Sequence, residues 1–197
     1  MIEVRPATAG RYGDVEELFR TNGTTKGCWC MFFVVPNKEF SAGWGAGNHE
    51  KFGELVGAAD PPAGLLAYRA GEPVGWCAIG PRSRYGRALR SKVLQGRATA
   101  EDDSVWLLPC FFVRRDARRS GVTRELIAGA VELARGSGAS AVEAFPLAST
   151  EARAPAGDAF IGTEAMFAAC GFEEVSRPTP RRVLMRRPLS SPSSRRR

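Results

Sequence analysis

Residues 105–134 read VWLLPCFFVRRDARRSGVTRELIAGAVELA, and this stretch decides the fold. Val105 to Val113 is almost continuously apolar, the pattern of a strand covered on both faces. Pro109 inside it cannot donate a ladder hydrogen bond, so a bulge or a local parting from one neighbour is required there. From Val122 the apolar residues Leu126, Ile127, Ala130 and Ala134 keep helical spacing until Gly136 and Gly138 end the helix. The strand SAVEAFPLA, Ser140 to Ala148, follows. Strand, basic turn, helix and strand make one crossover unit, so the two strands are expected to run parallel.

Outward from this unit the pattern stays mixed. IEVRPAT reads as a strand, and Asp14 precedes a short amphipathic helix carrying Val15, Leu18 and Phe19. Residues 22–47 are too irregular for one element and too apolar for a solvated linker, so they must pack against something. Asn48 reads as the cap of a second helix with Phe52, Leu55 and Val56 on one face, stopped by Pro61 and Pro62. Leu65 to Pro81 has two apolar runs around Ala-Gly-Glu-Pro, the form of a hairpin. Arg82 to Asp103 is a basic insertion whose Tyr85, Leu89, Val93 and Leu94 are its candidate inward contacts. A loop, Ser149 to Phe160, then leads to a short helix, Gly162 to Cys170, and to strands Phe172 to Ser176 and Val183 to Arg187. The order β α α β β β α β α β β describes a mixed α/β layer with one central crossover.

The chain of 197 residues is 44% apolar, enough for one buried core. It has no apolar run of membrane-span length, and MIEVRPATAG lacks the order of a signal peptide, so a soluble cytoplasmic protein is expected. The net charge of +7 is local. Arg177 to Arg197 holds eight Arg and no acid, and the remainder has 20 basic against 21 acidic residues. The expectation is a single domain over residues 1–188 and a disordered basic tail over 189–197. Five cysteines form no regular framework. Cys28-x-Cys30 with a single histidine falls short of zinc-site spacing, so neither disulfides nor a metal are expected.

Chemistry concentrates at Val113-Arg-Arg-Asp-Ala-Arg-Arg-Ser-Gly-Val-Thr123. Where a buried strand turns into a helix, backbone N–H groups converge at the positive end of the helix dipole and form an anion site. Gly121 permits close approach, Ser120 and Thr123 carry hydroxyls, and Arg118 and Arg119 supply charge, a set suited to a pyrophosphate. No Gly-Lys-Ser/Thr or Gly-x-Gly-x-x-Gly is present, which excludes the common nucleotide loops.

At this point the chain resembles the GCN5-related N-acetyltransferase (GNAT) superfamily. The family signature is a strand ending in Val, then Arg/Gln-x-x-Gly-x-Gly/Ala opening a helix. Val113 and Arg118-x-x-Gly121-x-Thr123 occupy those places, Thr123 departing from the usual small residue. The resemblance spans about Ile2 to Arg187, and Ala169-Cys-Gly-Phe172 is similar to the family's helix-to-strand close. It implies a mixed, mostly antiparallel sheet with one central parallel βαβ crossover and helices on both faces. It also implies acetyl-CoA as acyl donor, with pyrophosphate on Arg118, Arg119, Ser120, Gly121, Val122 and Thr123, and pantetheine along the backbone of Phe111, Phe112 and Val113. Many members carry a Tyr four residues before the Gly-Phe pair to protonate the leaving thiolate, and this chain has Phe167 there.

The expected activity is transfer of an acetyl group to the amine of a small molecule by direct attack. Glu143, a carboxylate within an apolar strand, must face a cleft or a partner. It is the candidate base or substrate anchor, with a structural hydrogen-bonding role as the alternative. Trp29, Phe32, Phe33, Trp44 and Trp76 are candidates for the acceptor wall, and aromatics at such density also suit plain core packing. The Arg-rich insertion reads either as an attractor of an acidic acceptor or as a solvated charged face. Two other readings stay open: a carrier-protein or aminoacyl-tRNA donor, and a binding module that holds CoA without turnover. A homodimer is also left open.

Overall fold

The structure, a computed structural model, describes residues 1–148 and 160–189. Seven strands form one sheet: β1 (Ile2–Pro6), β2 (Gly64–Arg69), β3 (Glu72–Pro81), β4 (Val105–Val113), β5 (Ala141–Ala144), β6 (Glu173–Thr179) and β7 (Arg182–Pro188). Their order is β1-β2-β3-β4-β5-β7-β6. All neighbours are antiparallel except β4 and β5, which pair in parallel as the crossover requires. The mixed sheet and single parallel pair expected from the sequence are therefore present, and the element order holds.

The helices are α1 (Tyr12–Arg20), α2 (Gly23–Cys28), α3 (Asn37–Ala42), α4 (Ala46–Ala58), α5 (Gly86–Leu89), α6 (Val122–Gly136) and α7 (Glu164–Ala168). Helix α6 lays Val122, Leu126, Ile127, Ala130, Val131 and Ala134 on one face of the sheet. Full burial of each larger aliphatic chain there stabilises by roughly 1.5–3 kcal/mol. The close approach depends on Gly75, where an added Cβ would lie 2.6 Å from Val122 Cγ1. On the opposite face, Phe19, Trp29, Phe52 and Trp76 interlock in tilted and edge-on pairs with centroids 5.5–6.4 Å apart. Helices thus cover both faces.

Residues 22–47 form two short helices and a turn of 3-10 helix. Asn48 is not the cap expected of it. Helix α4 begins at Ala46 after Gly45, and Asn48 sits inside its first turn, fully buried. Its side-chain amide donates to the carbonyls of Gly27 (3.1 Å) and Phe40 (3.2 Å), fastening α2 to α3. The local sequence resembles a cap because Asn suits both tasks; only tertiary packing distinguishes them.

The basic insertion covers a third apolar cluster with Tyr85, Ala88 and Leu94, while Leu89 and Val93 are partly buried against it. Much of its charge is consumed internally. The Arg84 guanidinium donates to the carbonyls of Pro61, Pro62 and Ile79. Arg97 donates to Asp102 at 3.0 Å, and Arg82, 1% exposed, pairs with Glu101. Leu189, expected to begin the tail, is instead 7% exposed in the core, its N–H donating to Ser140 O at 2.9 Å; residues 190–197 of the expected tail and 149–159 of the loop lie outside the described residues.

Candidate active site

The site begins at a defect in the sheet. Strands β4 and β5 pair only from Val105–Ala141 to Leu107–Glu143, although β4 continues for six more residues. Across the other edge of β4, Ala78 pairs with Cys110 and Gly80 with Leu107, so Leu108 and Pro109 together oppose Ile79. This is the bulge that proline demands. It also reverses the alternation of side chains. Trp106 and Leu108 face α6 before it, and Phe111 faces α6 after it. Cys110 and Phe112 are consequently turned to the opposite face, where α1, α2 and α4 pack. Among the described residues, the edge of β4 facing β5 carries no ladder partner beyond Leu107, leaving backbone donors and acceptors for an extended ligand arm.

Where β4 leads to α6, Arg119 (φ 61°) and Gly121 (φ 88°) are both left-handed. An added Cβ at Gly121 meets nothing within 4 Å, so this glycine is required by its conformation and the space above it is open. Helix α6 has no side-chain cap, which leaves its first-turn N–H groups without a side-chain acceptor, and the helix start borders an open cleft of about 240 Å³ lined by Val113, Ala117, Arg118, Arg119, Gly121, Val122, Thr123 and Arg124. The Ser120 hydroxyl is committed within the turn, donating to the Ala117 carbonyl at 2.7 Å. Arg118 Nε donates to Val113 O at 3.2 Å, which holds the guanidinium beside the strand end.

Two further cavities lie along the same strand and turn. An open groove of about 940 Å³ is lined by Thr21, Asn22, Phe112, Arg114, Arg115, Asp116 and Arg118. Arg114 is engaged there by Glu72 (2.9 Å) and Asp116 (2.8 Å). A more enclosed chamber of about 400 Å³ follows, walled by Phe32, Phe33, Phe40, Trp44, Phe112, Phe145 and Phe160 with Cys28, Cys30 and Cys110. Cleft and groove share Arg118, and groove and chamber share Phe112.

Three thiols stand on the chamber wall. Cys30 Sγ lies 3.9 Å from Cys110 Sγ and accepts a hydrogen bond from Trp76 Nε1 at 3.0 Å. The neighbouring Cys110 thiol and burial push the Cys30 thiol up, and burial pushes Cys28 up to about 11. Both are neutral near pH 7. Trp29 and Cys30 adopt consecutive left-handed conformations (φ 47° and 53°), a strained entry that turns the Cys30 side chain inward.

Of the residues expected on the acceptor wall, Phe32, Phe33 and Trp44 line the chamber, whereas Trp29 and Trp76 are buried in the core beneath it. Of the donor residues, Arg118, Arg119, Gly121, Val122 and Thr123 surround the cleft and Phe112 bridges groove and chamber. Phe111 faces α6 and stacks near Phe167 at 5.8 Å. Glu143 is 2% exposed, and its carboxylate faces two guanidinium groups, Arg186 at 3.4 Å and Arg82 at 3.8 Å. Burial pushes its carboxyl up, against the pull of these two arginines. It does not line the chamber. Phe40, Cys110 and Phe145 were not singled out by the sequence, and Cys30 was weighed there only as a zinc ligand; the bulge at Pro109 was the signal for Cys110, because it shifts the strand's phase by one.

The model of the acetyltransferase (GNAT) family matches residues 29–172. Among solved structures, an acetyltransferase from Thermus thermophilus superposes with a TM-score of 0.53 at 18% identity, covering 96% of this chain and 97% of that one. A ribosomal-protein-alanine N-acetyltransferase from Brucella melitensis gives 0.54 at 18%, covering 95% and 99%. The PaiA N-acetyltransferase from Thermoplasma acidophilum, in complex with coenzyme A, gives 0.52 at 11%, covering 95% and 99%. No curated protein matches the sequence. Among the described residues no helix is long and apolar enough to cross a membrane, and no group of three or more candidate metal ligands is found.

Proposed function

Because the chain belongs to the acetyltransferase (GNAT) family, we propose that it moves an acetyl group from acetyl-CoA to the amine of a small molecule, by direct attack on the thioester. The observation that carries this reading is the parting of β4 from β5 beyond Leu107 together with three cavities that border β4 and the turn after it, adjacent ones sharing Arg118 or Phe112 in their linings. In it, the cleft over Gly121 takes the pyrophosphate on the first-turn amides of α6, with Arg118 and Arg119 supplying positive charge. The unpaired edge of β4 from Phe111 to Val113 holds the pantetheine arm. The thioester then lies where Phe112 and Cys110 face the chamber, and backbone N–H groups of β4 are placed to polarise its carbonyl. Residues 1–188 act as the one acyltransferase domain.

In this reading the chamber desolvates the acceptor amine, which favours its neutral, nucleophilic form. Glu143 fixes β5 at the mouth of the splay through Arg82 and Arg186, and does not take the proton itself. A donor delivered on tRNA would call for a free basic face. The insertion offers less than its sequence promises, since Arg82, Arg84 and Arg97 are spent on internal partners.

Native mass spectrometry with acetyl-CoA tests the donor assignment without knowledge of the acceptor. A one-to-one complex is expected, displaced by CoA. Its absence at saturating ligand overturns the assignment.

A further inference from the structure

From the make-up of the chamber we infer that the acceptor is an aryl-alkyl primary amine, a compact apolar ring on a short chain ending in the reacting nitrogen. This rests on the donor and acceptor assignment just made and narrows it to a substrate class. Phe33 and Phe145 meet edge to face at 5.2 Å, and Phe160 lies against Phe112 with centroids 6.3 Å apart. Phe32, Phe40 and Trp44 form a second, continuous set with centroids at 5.3 and 5.6 Å. Stacking and edge-on contact to rings on two sides select a planar apolar group.

Two of these rings are left uncovered. Phe32 is 38% and Trp44 53% exposed, and among the described residues the only other exposed large hydrophobic residues are Met1 and Val175. Trp44 is fixed in place, because it lies flat on Gly27, where an added Cβ would sit 2.1 Å from its ring. Rigid aromatic surface held open to solvent beside an apolar cavity is a binding surface.

An aromatic cage also suits cations, so the two must be separated. Here the cation position is already taken by the protein. The Arg87 guanidinium lies 3.8 Å from the Phe32 ring centroid and 5.5 Å from that of Phe40. A second positive charge in the acceptor, as in a polyamine or a lysine amide, would enter against that guanidinium. The ring therefore goes to the Phe33, Trp44 and Phe145 side, and the amine to the Phe112 and Cys110 end, where the chamber meets the groove.

Thiol release from acetyl-CoA, followed with 2-phenylethylamine, tryptamine, ethylamine and spermidine, tests the inference. Burying an aryl group typically adds about 2–3 kcal/mol, so kcat/KM for 2-phenylethylamine is expected to exceed that for ethylamine by at least about thirtyfold. Spermidine is expected to trail both aryl amines. Val93 and Ser91 also line the chamber; Val93→Trp, which fills it, should cut the aryl preference at least about tenfold while acetyl-CoA binding by native mass spectrometry is retained, and Ser91→Trp serves if that variant does not fold. Equal or better turnover of ethylamine or spermidine overturns the substrate class, and so does an acetyl-CoA complex that forms but gives no product with either aryl amine. Failure to bind acetyl-CoA at all instead overturns the underlying site assignment.

Discussion

Leu107 and Glu143 are the last partners in the parallel pairing of β4 with β5, and the two strands part immediately beyond them. Leu107 is followed by the Leu108–Pro109 bulge, and Glu143 is gripped by Arg82 and Arg186. The parting of the two strands is therefore built from two independent devices. One removes a ladder donor from β4, and the other ties β5 to the insertion and to β7. Arg186 also reaches Glu101 at 3.1 Å, so the same ion cluster joins three segments distant in sequence.

That arrangement sets what Glu143→Gln should do. Arg82 keeps Glu101 at 3.1 Å and Asp102 at 3.6 Å, so the loss is expected at about 1–3 kcal/mol of stability, below the cost of leaving a buried cation with no partner. The rate constant kcat is expected to fall less than tenfold. Thermal melts and thiol release separate the two effects. A hundredfold fall in kcat with an unchanged melting temperature, together with loss of the acidic limb of the pH–rate profile, would make Glu143 the base instead.

Gly121 provides the second prediction. With φ 88° and open space above it, Gly121→Ala should cost only the left-handed strain, about 1 kcal/mol, and weaken acetyl-CoA binding modestly. Gly121→Asp places a carboxylate over the first-turn amides of α6 and should abolish binding while the far-ultraviolet circular dichroism stays native. Calorimetry decides it, and unchanged affinity for the Asp variant removes the turn from the donor site.

Most of this architecture is legible in the sequence because its signals are local. The apolar run of β4, the helical spacing of α6 and the glycine-containing turn between them each follow from residues close in sequence. Even the strand's defect is written in Pro109. What could not be read is where long-range packing assigns a residue its task. Asn48 carries the chemistry of a cap but serves as a clamp between Gly27 and Phe40. Trp29 and Phe32 are near neighbours of similar character, yet one is core and the other rim, because the left-handed conformations at Trp29 and Cys30 turn the chain between them. Arg82 reads as surface charge and is buried, since its acidic partners come from residues 101, 102 and 143.

The cysteines yield a prediction in pH. Burial holds Cys28 at about 11, and Cys30 is also pushed up, so in the folded state both keep their protons where the unfolded chain, with thiols near 8.5, loses them. A group whose folded value is raised stabilises fully below its unfolded value and loses that contribution as pH rises through the folded one. The melting temperature should accordingly decline from about pH 8.5 towards 11, and Cys28→Ser should flatten part of that decline. Alkylation of the native protein by iodoacetamide should be slow at pH 7 and accelerate up to about pH 11. Rapid modification of Cys28 at pH 7 would show a thiolate that this burial does not permit.

The last prediction concerns Phe167, which stands where many relatives in the family have a tyrosine. The ring is fully buried, with Phe172 at 5.0 Å and Phe111 at 5.8 Å between centroids. It does not line the chamber, and a phenyl ring cannot donate a proton. A thiol of ordinary pKa near 8.5 leaves readily as thiolate, so solvent or another donor suffices and the missing phenol need not prevent turnover. In Phe167→Tyr the new hydroxyl enters apolar packing, where without a partner it costs roughly 1–3 kcal/mol. The melting temperature should therefore fall, and kcat should change by less than about tenfold, or roughly 1.4 kcal/mol of barrier. Following thiol release for both proteins across the amine panel, with melts alongside, gives the answer. Turnover confined to the Tyr variant would show that the wild-type chain holds acetyl-CoA without an effective acid, and would favour a binding role for the site over catalysis.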